Sequence, residues 1–550
     1  MRQIMTRLSL ALLLLLVFSS PTSAQSNSTG EEFKIVGYYP SWVAEERGYE
    51  VMDLPAEQMT HIMYAFANVC WDGVHGNLDP SGPNPKEWVC EDENGPIDVP
   101  NGSIVLGDPE QDVHKSYPGD SEDELIKGNI KQLQLLKEEH PHLKTVISVG
   151  GWTWSNRLSL VAATEETRAN FAQSAVDFVR AYGFDGLDLD WEYPVSGGMP
   201  ENERDPADKR NHTLLLEATR AALDKAGEED GKDYLLTIAS SASPSYLQNN
   251  ELKELASILD WIQIMTYDLN GTWQAQNGHN APLFHDKEAT VPWADALNVH
   301  AAVTGHLNAG VPNDKLIVGM PFYGYGWTGC DSANNGEYSQ CTGPANEGTW
   351  TNATFDYQDL KENYVNKNGY TRYWNDASKV PFLFNNSNGT FITYDDPESI
   401  THKATYVKEN NFAGAMFWEA SNNRDGELVK AIADVLLAEE ESGECQAEAW
   451  SSKQVYTKGD RVKLNDVVYE AKWWTKGEDP TKSGEWDVWK KAADCLEEVP
   501  GQSEWSARTT YTKGDQVTYD GVLYEAKWWT KGENPSRSGE WDVWKKVMKQ

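Results

Sequence analysis

Eight short runs of apolar and β-branched residues recur between residues 35 and 418, each followed by a segment long enough for a helix. Runs of this length that alternate with helical segments are typical of parallel strands joined by helices. Eight such units predict an α/β fold, a (β/α)8 TIM barrel, with any chemistry at the carboxyl ends of the strands. The predicted strands are Ile35–Tyr39, His61–Phe66, Lys144–Val149, Gly186–Trp191, Leu235–Ala239, Trp261–Met265, Leu316–Met320 and Gly414–Trp418.

Two of the connections between these strands are too long to be simple loops. The first, at about 71–123, follows strand two. The second, at about 326–402, lies between strands seven and eight and contains strand-like runs of its own. We therefore predict an α+β insertion between strands seven and eight that forms a wall of a cleft.

The end of the chain repeats itself at a constant offset of 55 residues. Tyr456–Asp460 recurs at Tyr511–Asp515, and Ala471–Gly477 recurs at Ala526–Gly532. Short β-rich runs broken by Gly and Asp turn signals predict a small antiparallel sheet in each repeat. The pattern thus predicts two small all-β modules, at 447–491 and 502–546, after a barrel at 25–442.

The beginning of the chain has the pattern of a targeting segment. Arg2 and Arg7 flank the start of an apolar run, Leu8–Phe18, and small residues follow as far as Ala24. This pattern predicts a signal peptide over residues 1–24, because the apolar run is too short to span a membrane. We expect a secreted, extracellular protein.

Six cysteines fit an exported protein, in which disulfides are favoured over metal ligation. None has the Cys-x-x-Cys spacing of a zinc site, and six cysteines permit fifteen pairings, so the connectivity stays open. The cysteines form three neighbouring pairs along the chain: Cys70 and Cys90, Cys330 and Cys341, and Cys445 and Cys495. The last pair frames the first module and would staple its small core.

Charge and tryptophan are divided unequally between the barrel and the tail. The whole chain has 47 Lys and Arg against 85 Asp and Glu, a net charge of −38, which argues against binding to nucleic acid or to an anionic membrane. Residues 447–550 contain 17 basic and 18 acidic residues and 10 of the 23 Trp. The tail is therefore neutral and rich in rings that can stack on a ligand.

The run from Asp185 to Glu192 contains the strongest candidates for chemistry. Residues two apart on a strand share a face, so Asp188, Asp190 and Glu192 point the same way, into the barrel. Three neighbouring carboxylates cannot all be ionised without strong electrostatic repulsion. We expect a shared proton, with the outermost acid, Glu192, held at a raised pKa that suits proton donation at neutral pH.

This run resembles the Asp-x-x-Asp-x-Asp-x-Glu signature of glycoside hydrolase family 18, the chitinases. Four further segments in the expected order resemble the family's elements on strands three, six, seven and eight. They are Ser148–Trp152, Met265–Asp268, Gly319–Gly324 and Phe417–Glu419. The resemblance covers nearly all of residues 25–442 and implies a retaining hydrolase that needs neither a metal ion nor a cofactor.

The family's mechanism carries over to matching residues of this chain. The resemblance implies that Glu192 protonates the glycosidic oxygen and then acts as base for the incoming water. The nucleophile would be the substrate's own 2-acetamido group, oriented by Asp190 while Asp188 shares the proton. Tyr267 would donate its hydroxyl to the acetamido oxygen.

The resemblance also implies a set of residues that contact the sugar chain. Met265 and Asp268 would shape the pocket, and Trp418 would form its apolar floor. Tyr38, Phe66, Trp152 and Trp273 fall where the family presents aromatic or apolar contacts, although core packing of each one is an alternative. In one departure, Tyr325 stands where the family often has Arg after Gly324.

Both tail repeats contain Ala-Lys-Trp-Trp-Thr-Lys-Gly-Glu-x-Pro, which resembles the core motif of carbohydrate-binding module families 5 and 12, small chitin-binding domains. The candidate binding residues are Trp473, Trp474, Trp528 and Trp529. Adjacent strand residues point to opposite faces, so we expect one ring of each pair to pack inward and favour Trp474 and Trp529 as exposed. An alternative is that all ten Trp of the tail fill the two small cores.

Together these observations predict a secreted retaining chitinase that cleaves β-1,4 bonds between N-acetylglucosamine units. We expect chitin and its oligomers as partners, and a monomer that binds neither nucleic acid nor membranes. One alternative is an endo-β-N-acetylglucosaminidase that acts on glycoprotein glycans. Another is a non-catalytic chitin-binding protein, against which the presence of Glu192, Asp190 and Tyr267 argues.

Overall fold

The fold was analysed in a computed structural model. It describes residues 32–77, 87–437, 447–465, 467–484 and 487–494, followed by 503–504, 510–511, 513, 516–519, 522–528, 530–531, 533, 535 and 543–546. The predicted signal peptide and the predicted pair Cys445 and Cys495 lie outside the described residues.

Eight parallel strands form a closed barrel, which confirms the predicted fold class. Strands that are consecutive along the chain are hydrogen-bonded neighbours in the barrel. Strand one pairs with both strand two and strand eight, which closes the ring. The strands are Lys34–Pro40, His61–Val69, Lys144–Gly150, Gly186–Asp190, Leu235–Ser241, Trp261–Met265, Leu316–Pro321 and Gly414–Trp418.

Helices surround this barrel and cover the outer faces of its strands. In the described part of the chain, none of them is long and apolar enough to cross a membrane. The helices that follow the successive strands are Val43–Glu46, Gly128–Glu139, Leu158–Ala163 with Glu165–Tyr182, Asp208–Asp230, Pro244–Asn249 with Leu252–Ile258, Val299–Asn308, Pro397–Glu409 and Glu427–Leu436.

Alternation along the strands separates the barrel interior from the layer between strands and helices. Val36, Met63 and Val146 belong to the interior cluster, whereas Ile35 and Ile62 belong to the cluster that packs against helices. All five side chains are fully buried. The strands therefore read as nearly continuous apolar runs, as expected when both faces are covered.

The insertion after strand two is a set of short hairpins. Val74–Gly76 pairs with Glu87–Val89, Glu91–Asp92 with Gly95–Pro96, and Ile104–Val105 with the end of strand two. A disulfide between Cys70 and Cys90 joins the end of strand two to the second hairpin. This insertion is thus anchored to the carboxyl end of the barrel.

The insertion between strands seven and eight contains an antiparallel sheet. Its first strand, Tyr323–Thr328, follows barrel strand seven after a single residue. Just beyond its end, Cys330 forms a disulfide with Cys341. The other strands are Gly343–Pro344, Thr354–Asp356, Tyr370–Asn375, Val380–Asn385 and Thr390–Thr393, with the short helix Tyr357–Asp359 between them. The insertion is therefore placed beside the carboxyl end of strand seven.

The two repeats of the tail have the same small β architecture. Each has a four-stranded sheet and a separate two-stranded pair. In the first module the strands are Glu448–Ala449, Val455–Tyr456, Arg461–Leu464, Val467–Ala471, Thr475–Lys476 and Trp489–Asp494. In the second they are Ser503–Glu504, Thr510–Tyr511, Gln516–Tyr519, Val522–Ala526, Thr530–Lys531 and Trp544–Lys546.

Candidate active site and carbohydrate-contact residues

Asp188 and Asp190 of strand four, and Glu192 just beyond its end, are buried in a row at the carboxyl end of the barrel. Asp188 is 0% exposed, Asp190 4% and Glu192 7%. The residues between them belong to the outer layer, where Trp191 packs edge-on against His212 of the following helix, with ring centroids 5.3 Å apart. The alternation predicted from the sequence therefore holds through Glu192.

Asp188, the innermost acid, is surrounded by hydrogen-bond donors. Its Oδ2 accepts from the hydroxyls of Tyr38 at 2.9 Å and Ser148 at 2.7 Å. Its Oδ1 accepts from the hydroxyl of Thr237 at 2.7 Å and from Nε2 of Gln263 at 3.0 Å. Burial raises the pKa of Asp188, and these four donors oppose that rise because they favour the ionised form.

Asp190, the middle acid, has the opposite environment. Its Oδ1 is shielded from solvent and has no hydrogen-bond partner among the described residues. Burial, and then the charges of Glu192 and Asp188, hold the pKa of Asp190 well above its usual range. The ionised form of Asp190 is therefore strongly disfavoured while its neighbours carry negative charge.

Glu192 is the acid at the mouth of the barrel. Burial raises the pKa of Glu192 to about 7; the negative charge of Asp268 adds to the rise, while a hydrogen bond from Tyr193 opposes it. Its backbone is fixed by a hydrogen bond from its N–H to Ser155 Oγ at 2.8 Å. Glu192 can thus both donate and accept a proton near neutral pH.

The end of strand six places further groups opposite the acid row. Tyr267 is buried, and its hydroxyl lies 3.7 Å from Sδ of Met416, a weak acceptor. Asp268 accepts hydrogen bonds at Oδ1 from the hydroxyls of Tyr323 at 2.5 Å and Tyr325 at 2.8 Å. Tyr267 therefore retains a hydroxyl that a ligand can engage.

A cleft of about 480 Å³ opens over these residues. Trp418 lies within it, with its ring 5.5 Å from that of Tyr38 and 5.9 Å from that of Phe66, which is stacked on it. The predicted site residues that line this cleft are Tyr38, Phe66, Trp152, Asp190, Glu192, Met265, Tyr267, Asp268 and Trp418. Asp188 lies below them and reaches the cleft only through its neighbours.

The two outer tryptophans differ in position. Trp152 is 48% exposed and lines the cleft, so its ring faces solvent rather than the core. Trp273 is 62% exposed, is absent from the lining found among the described residues, and packs edge-on against Tyr325 at 5.5 Å. The exposure of both rings excludes the alternative of core packing for these two residues.

The cleft also contains residues that the sequence analysis missed. Trp42, Glu46, Trp88, Asp108, Trp154 and Tyr323 all contribute to its walls. Trp88 comes from the insertion after strand two, where its ring lies between His75, at 5.6 Å, and Trp154, at 6.0 Å. Only the length of that insertion pointed toward the cleft, and nothing in the local pattern singles out Trp88.

The paired tryptophans of the tail correct one prediction. Trp473 and Trp474 are 48% and 62% exposed, and Trp528 is 48% exposed, so the pair in the first module does not divide into an inner and an outer ring. The preceding strand ends at Ala471, and strand alternation therefore does not apply to the pair. Trp529 lies outside the described residues.

These exposed rings also exclude the alternative that all ten Trp of the tail fill its two cores. The cores use other aromatic residues, Tyr456 with Trp489 and Tyr511 with Trp544. Beside the exposed rings lie cations, Lys472 Nζ at 5.9 Å from the Trp473 ring and Lys527 Nζ at 5.8 Å from the Trp528 ring. Each module thus presents tryptophan to solvent.

Comparisons with known proteins agree with this geometry. The chain is 57% identical over 426 residues to "Chitinase A1" of Niallia circulans, a match that covers 76% of this chain and 61% of that protein. Among solved structures it resembles "Chitinase ChiA74 from Bacillus thuringiensis", with a TM-score of 0.71 and 45% identity over 81% of this chain and 75% of the other.

A second solved structure is that of an enzyme with a different named activity. It is a glycoside hydrolase family 18 N-acetylglucosaminidase from Paenibacillus barengoltzii, with a TM-score of 0.58 and 32% identity over 74% of this chain and the whole of the other. Residues 449–490 and 504–545 each match carbohydrate-binding module family 5/12. Residues 34–423 match glycosyl hydrolases family 18, and the chain belongs to that family.

Proposed function

We propose that the protein is a secreted retaining chitinase that hydrolyses β-1,4 bonds between N-acetylglucosamine units and is held on chitin by its two modules. The observation that carries this proposal is Glu192, a buried acid with a pKa near 7, beside the unpartnered oxygen of Asp190 in a cleft lined with aromatic rings. The similarity to proteins named as chitinases supports the substrate.

The first step requires an acid and a nucleophile. Protonated Glu192 would give its proton to the glycosidic oxygen while the bond from that oxygen to the anomeric carbon breaks. The carbonyl oxygen of the substrate's 2-acetamido group would attack the anomeric carbon and form an oxazolinium ring. After a turn of its side chain, the unpartnered Oδ1 of Asp190 would suit the acetamido N–H, and the Tyr267 hydroxyl suits the acetamido oxygen.

The second step uses the same groups in reverse. Ionised Glu192 would take a proton from water as the water oxygen attacks the anomeric carbon, which opens the oxazolinium ring. Two successive displacements at one carbon retain its configuration. A pKa near 7 suits both roles, because neither form of Glu192 is strongly disfavoured near neutral pH.

The tail modules would act by retention rather than by chemistry. Trp473, Trp474 and Trp528 present flat rings that can stack on the apolar faces of sugar units. Two linked weak sites raise the effective concentration on a polymer above that of either site alone. Export would follow from the signal peptide predicted at residues 1–24, which N-terminal sequencing of secreted protein can test.

A Glu192→Gln variant tests the mechanism. We expect hydrolysis of N-acetylglucosamine oligomers to fall by at least about 100-fold, the usual contribution of a general acid, because the amide cannot donate this proton. Retention on insoluble chitin should be unchanged. The control is Glu166→Gln, at an exposed helix position, and it should keep full activity. Normal turnover by the Glu192 variant would contradict the proposed role.

A second candidate activity, release of single N-acetylglucosamine units, is favoured by the similarity to the Paenibacillus barengoltzii enzyme. The products of an N-acetylglucosamine hexamer distinguish the two activities. Dimers and trimers as early products indicate a chitinase. Monomers from the first time point indicate an N-acetylglucosaminidase.

A further inference from the structure

Tyr325 joins the insertion sheet to the catalytic cleft. It lies on the strand Tyr323–Thr328, and its hydroxyl donates to Oδ1 of Asp268 at 2.8 Å. Tyr323, from the same strand, donates to the same oxygen at 2.5 Å.

Asp268 lies among neutral and acidic groups. From strand four it faces Glu192 and Tyr193, from its own segment Tyr267, and from the insertion sheet the two tyrosines. The ionisable groups around it are Tyr193, Tyr267, Tyr323, Tyr325 and Glu192 and, across a neighbouring cavity, Arg47, Asp356 and Glu419.

Arg47 does not neutralise Asp268. It shares a cavity with Asp268 and Tyr325, but its guanidinium pairs with Glu419 at 2.5 Å. No ion pair to Asp268 is found among the residues that the structure describes. When Asp268 is ionised, its charge is thus stabilised by two neutral hydroxyls and is not cancelled by a cation.

We propose that Tyr325 is a positioning residue that holds Asp268 with a neutral donor, so that the uncancelled charge of Asp268 keeps the proton on Glu192 and extends hydrolysis toward alkaline pH. This inference rests on the proposed role of Glu192 as general acid. It concerns the pH range of the reaction and not its identity.

Elementary electrostatics gives the sign of the effect. A negative charge near a carboxyl disfavours its ionised form, and the charge of Asp268 does raise the pKa of Glu192. A cation at position 325 would pair with Asp268 and also act directly on Glu192, and both effects lower the pKa of Glu192. The acid would then lose its proton at a lower pH, and activity would fall earlier as the pH rises.

The Tyr325 ring has a separate contact that the experiment must preserve. It packs edge-on against the exposed Trp273 ring, with centroids 5.5 Å apart. A Tyr325→Phe variant retains this ring and the net charge of the site and removes only the hydroxyl. It is therefore the matched control for a Tyr325→Arg variant, which replaces the hydroxyl with a cation.

The test compares the pH profiles of kcat/KM for the full chain and both variants. The substrate is an unmodified N-acetylglucosamine hexamer, because an activated aryl leaving group does not need protonation. We expect the midpoint of the alkaline limb of Tyr325→Arg to lie about 1 pH unit lower than in the unsubstituted protein, which is the lower end of the shift that a nearby opposite charge causes. The alkaline limb of Tyr325→Phe should shift less than that of Tyr325→Arg, because Asp268 keeps the Tyr323 donor and gains no cation.

An unmoved alkaline limb in a folded Tyr325→Arg variant overturns the inference, as does an equal shift in Tyr325→Phe. If Tyr325→Arg does not fold, Asp268→Asn serves as the second variant. This variant removes the negative charge of Asp268 itself and should also shift the alkaline limb to lower pH. An alkaline limb at the same pH as in the unsubstituted protein overturns the inference. Absence of hexamer hydrolysis by the unsubstituted protein would instead refute the proposed function, so the two failures are distinguishable.

Discussion

Asp188 shows how a single residue organises the catalytic end of the barrel. Its donors come from strands one, three, five and six, at Tyr38, Ser148, Thr237 and Gln263. A buried carboxylate is costly unless its oxygens are hydrogen-bonded, and each donor to a charged group contributes about 1.5–3 kcal/mol. The negative charge held on Asp188 is one of the causes that raise the pKa of Asp190, two residues away.

Removal of one donor tests this organisation at the residue scale. Thr237 is the direct neighbour of Asp188 across the sheet, and Thr237→Val replaces its hydroxyl with a methyl group of similar size. We expect the catalytic unit to lose about 1.5–3 kcal/mol of unfolding free energy, since a charged acceptor loses a partner. We also expect kcat to fall, because a higher pKa of Asp188 redistributes the shared proton. Urea unfolding and hexamer kinetics measure the two effects.

Thr219→Val is the matched control for that substitution. Thr219 is equally buried, but its hydroxyl donates to the neutral carbonyl of Leu215, one helical turn back. This loss should cost less, about 0.5–1.5 kcal/mol, and should leave kcat unchanged. An equal loss of stability in both variants, with equal kcat, would show that the charge of Asp188 gives Thr237 no special role.

The spacing of the acids predicts their common face because strand geometry is local. The donors of Asp188 lie up to 150 residues from it along the chain. No local pattern indicates that Thr237 and Gln263 meet the same carboxylate, because that depends on how three strands are aligned in the closed barrel. The acid row was therefore predictable and its stabilising partners were not.

At the scale of elements, strand ends determine which side chains are presented. The eight predicted barrel strands are present and differ from the observed ones only in their end residues. In contrast, Trp474 is exposed as predicted, but the prediction that its partner Trp473 packs inward was wrong, because it extended strand alternation past Ala471, where the strand stops. Turn geometry beyond a strand depends on the whole module, which the repeat alone does not define.

The exposure of both rings leads to a prediction about the first module. Trp473→Ala and Trp474→Ala should each weaken binding to insoluble chitin, by about 1–3 kcal/mol if the stacking of a sugar resembles the stacking of a base. Adsorption isotherms of the isolated variants measure this. Lys482→Ala, at a side chain that is 81% exposed, is the control and should bind normally. Loss of binding in only one tryptophan variant would contradict this prediction, because it would show that only one ring of the pair contacts chitin.

At the scale of the whole molecule, net charge and tryptophan are distributed unequally along the chain. Residues 1–446 carry 30 Lys and Arg against 67 Asp and Glu, whereas the tail is close to neutral. A neutral polymer gives no electrostatic reason for that acidity, and we interpret it as a source of solubility for the catalytic unit. The tail, by contrast, combines near neutrality with exposed tryptophans at Trp473, Trp474 and Trp528.

This division predicts that the tail matters for solid substrate and not for soluble substrate. A protein that ends after Ser442 retains the barrel, both disulfides of the described catalytic unit and every residue that lines the cleft. Its kcat/KM for the hexamer should equal that of the full chain, because a soluble oligomer reaches the cleft by diffusion. Hydrolysis of insoluble chitin should fall by about 10-fold or more, since two linked sites no longer raise the enzyme's concentration at the surface.

A variant of the full chain with Ala at Trp473, Trp474 and Trp528 is the control for the shortened chain. It removes the exposed rings but keeps the tail, so it shows whether the loss on insoluble chitin comes from chitin binding or from the shorter chain. Equal loss on both substrates would contradict the role of the modules, because it would place their effect on the catalytic step.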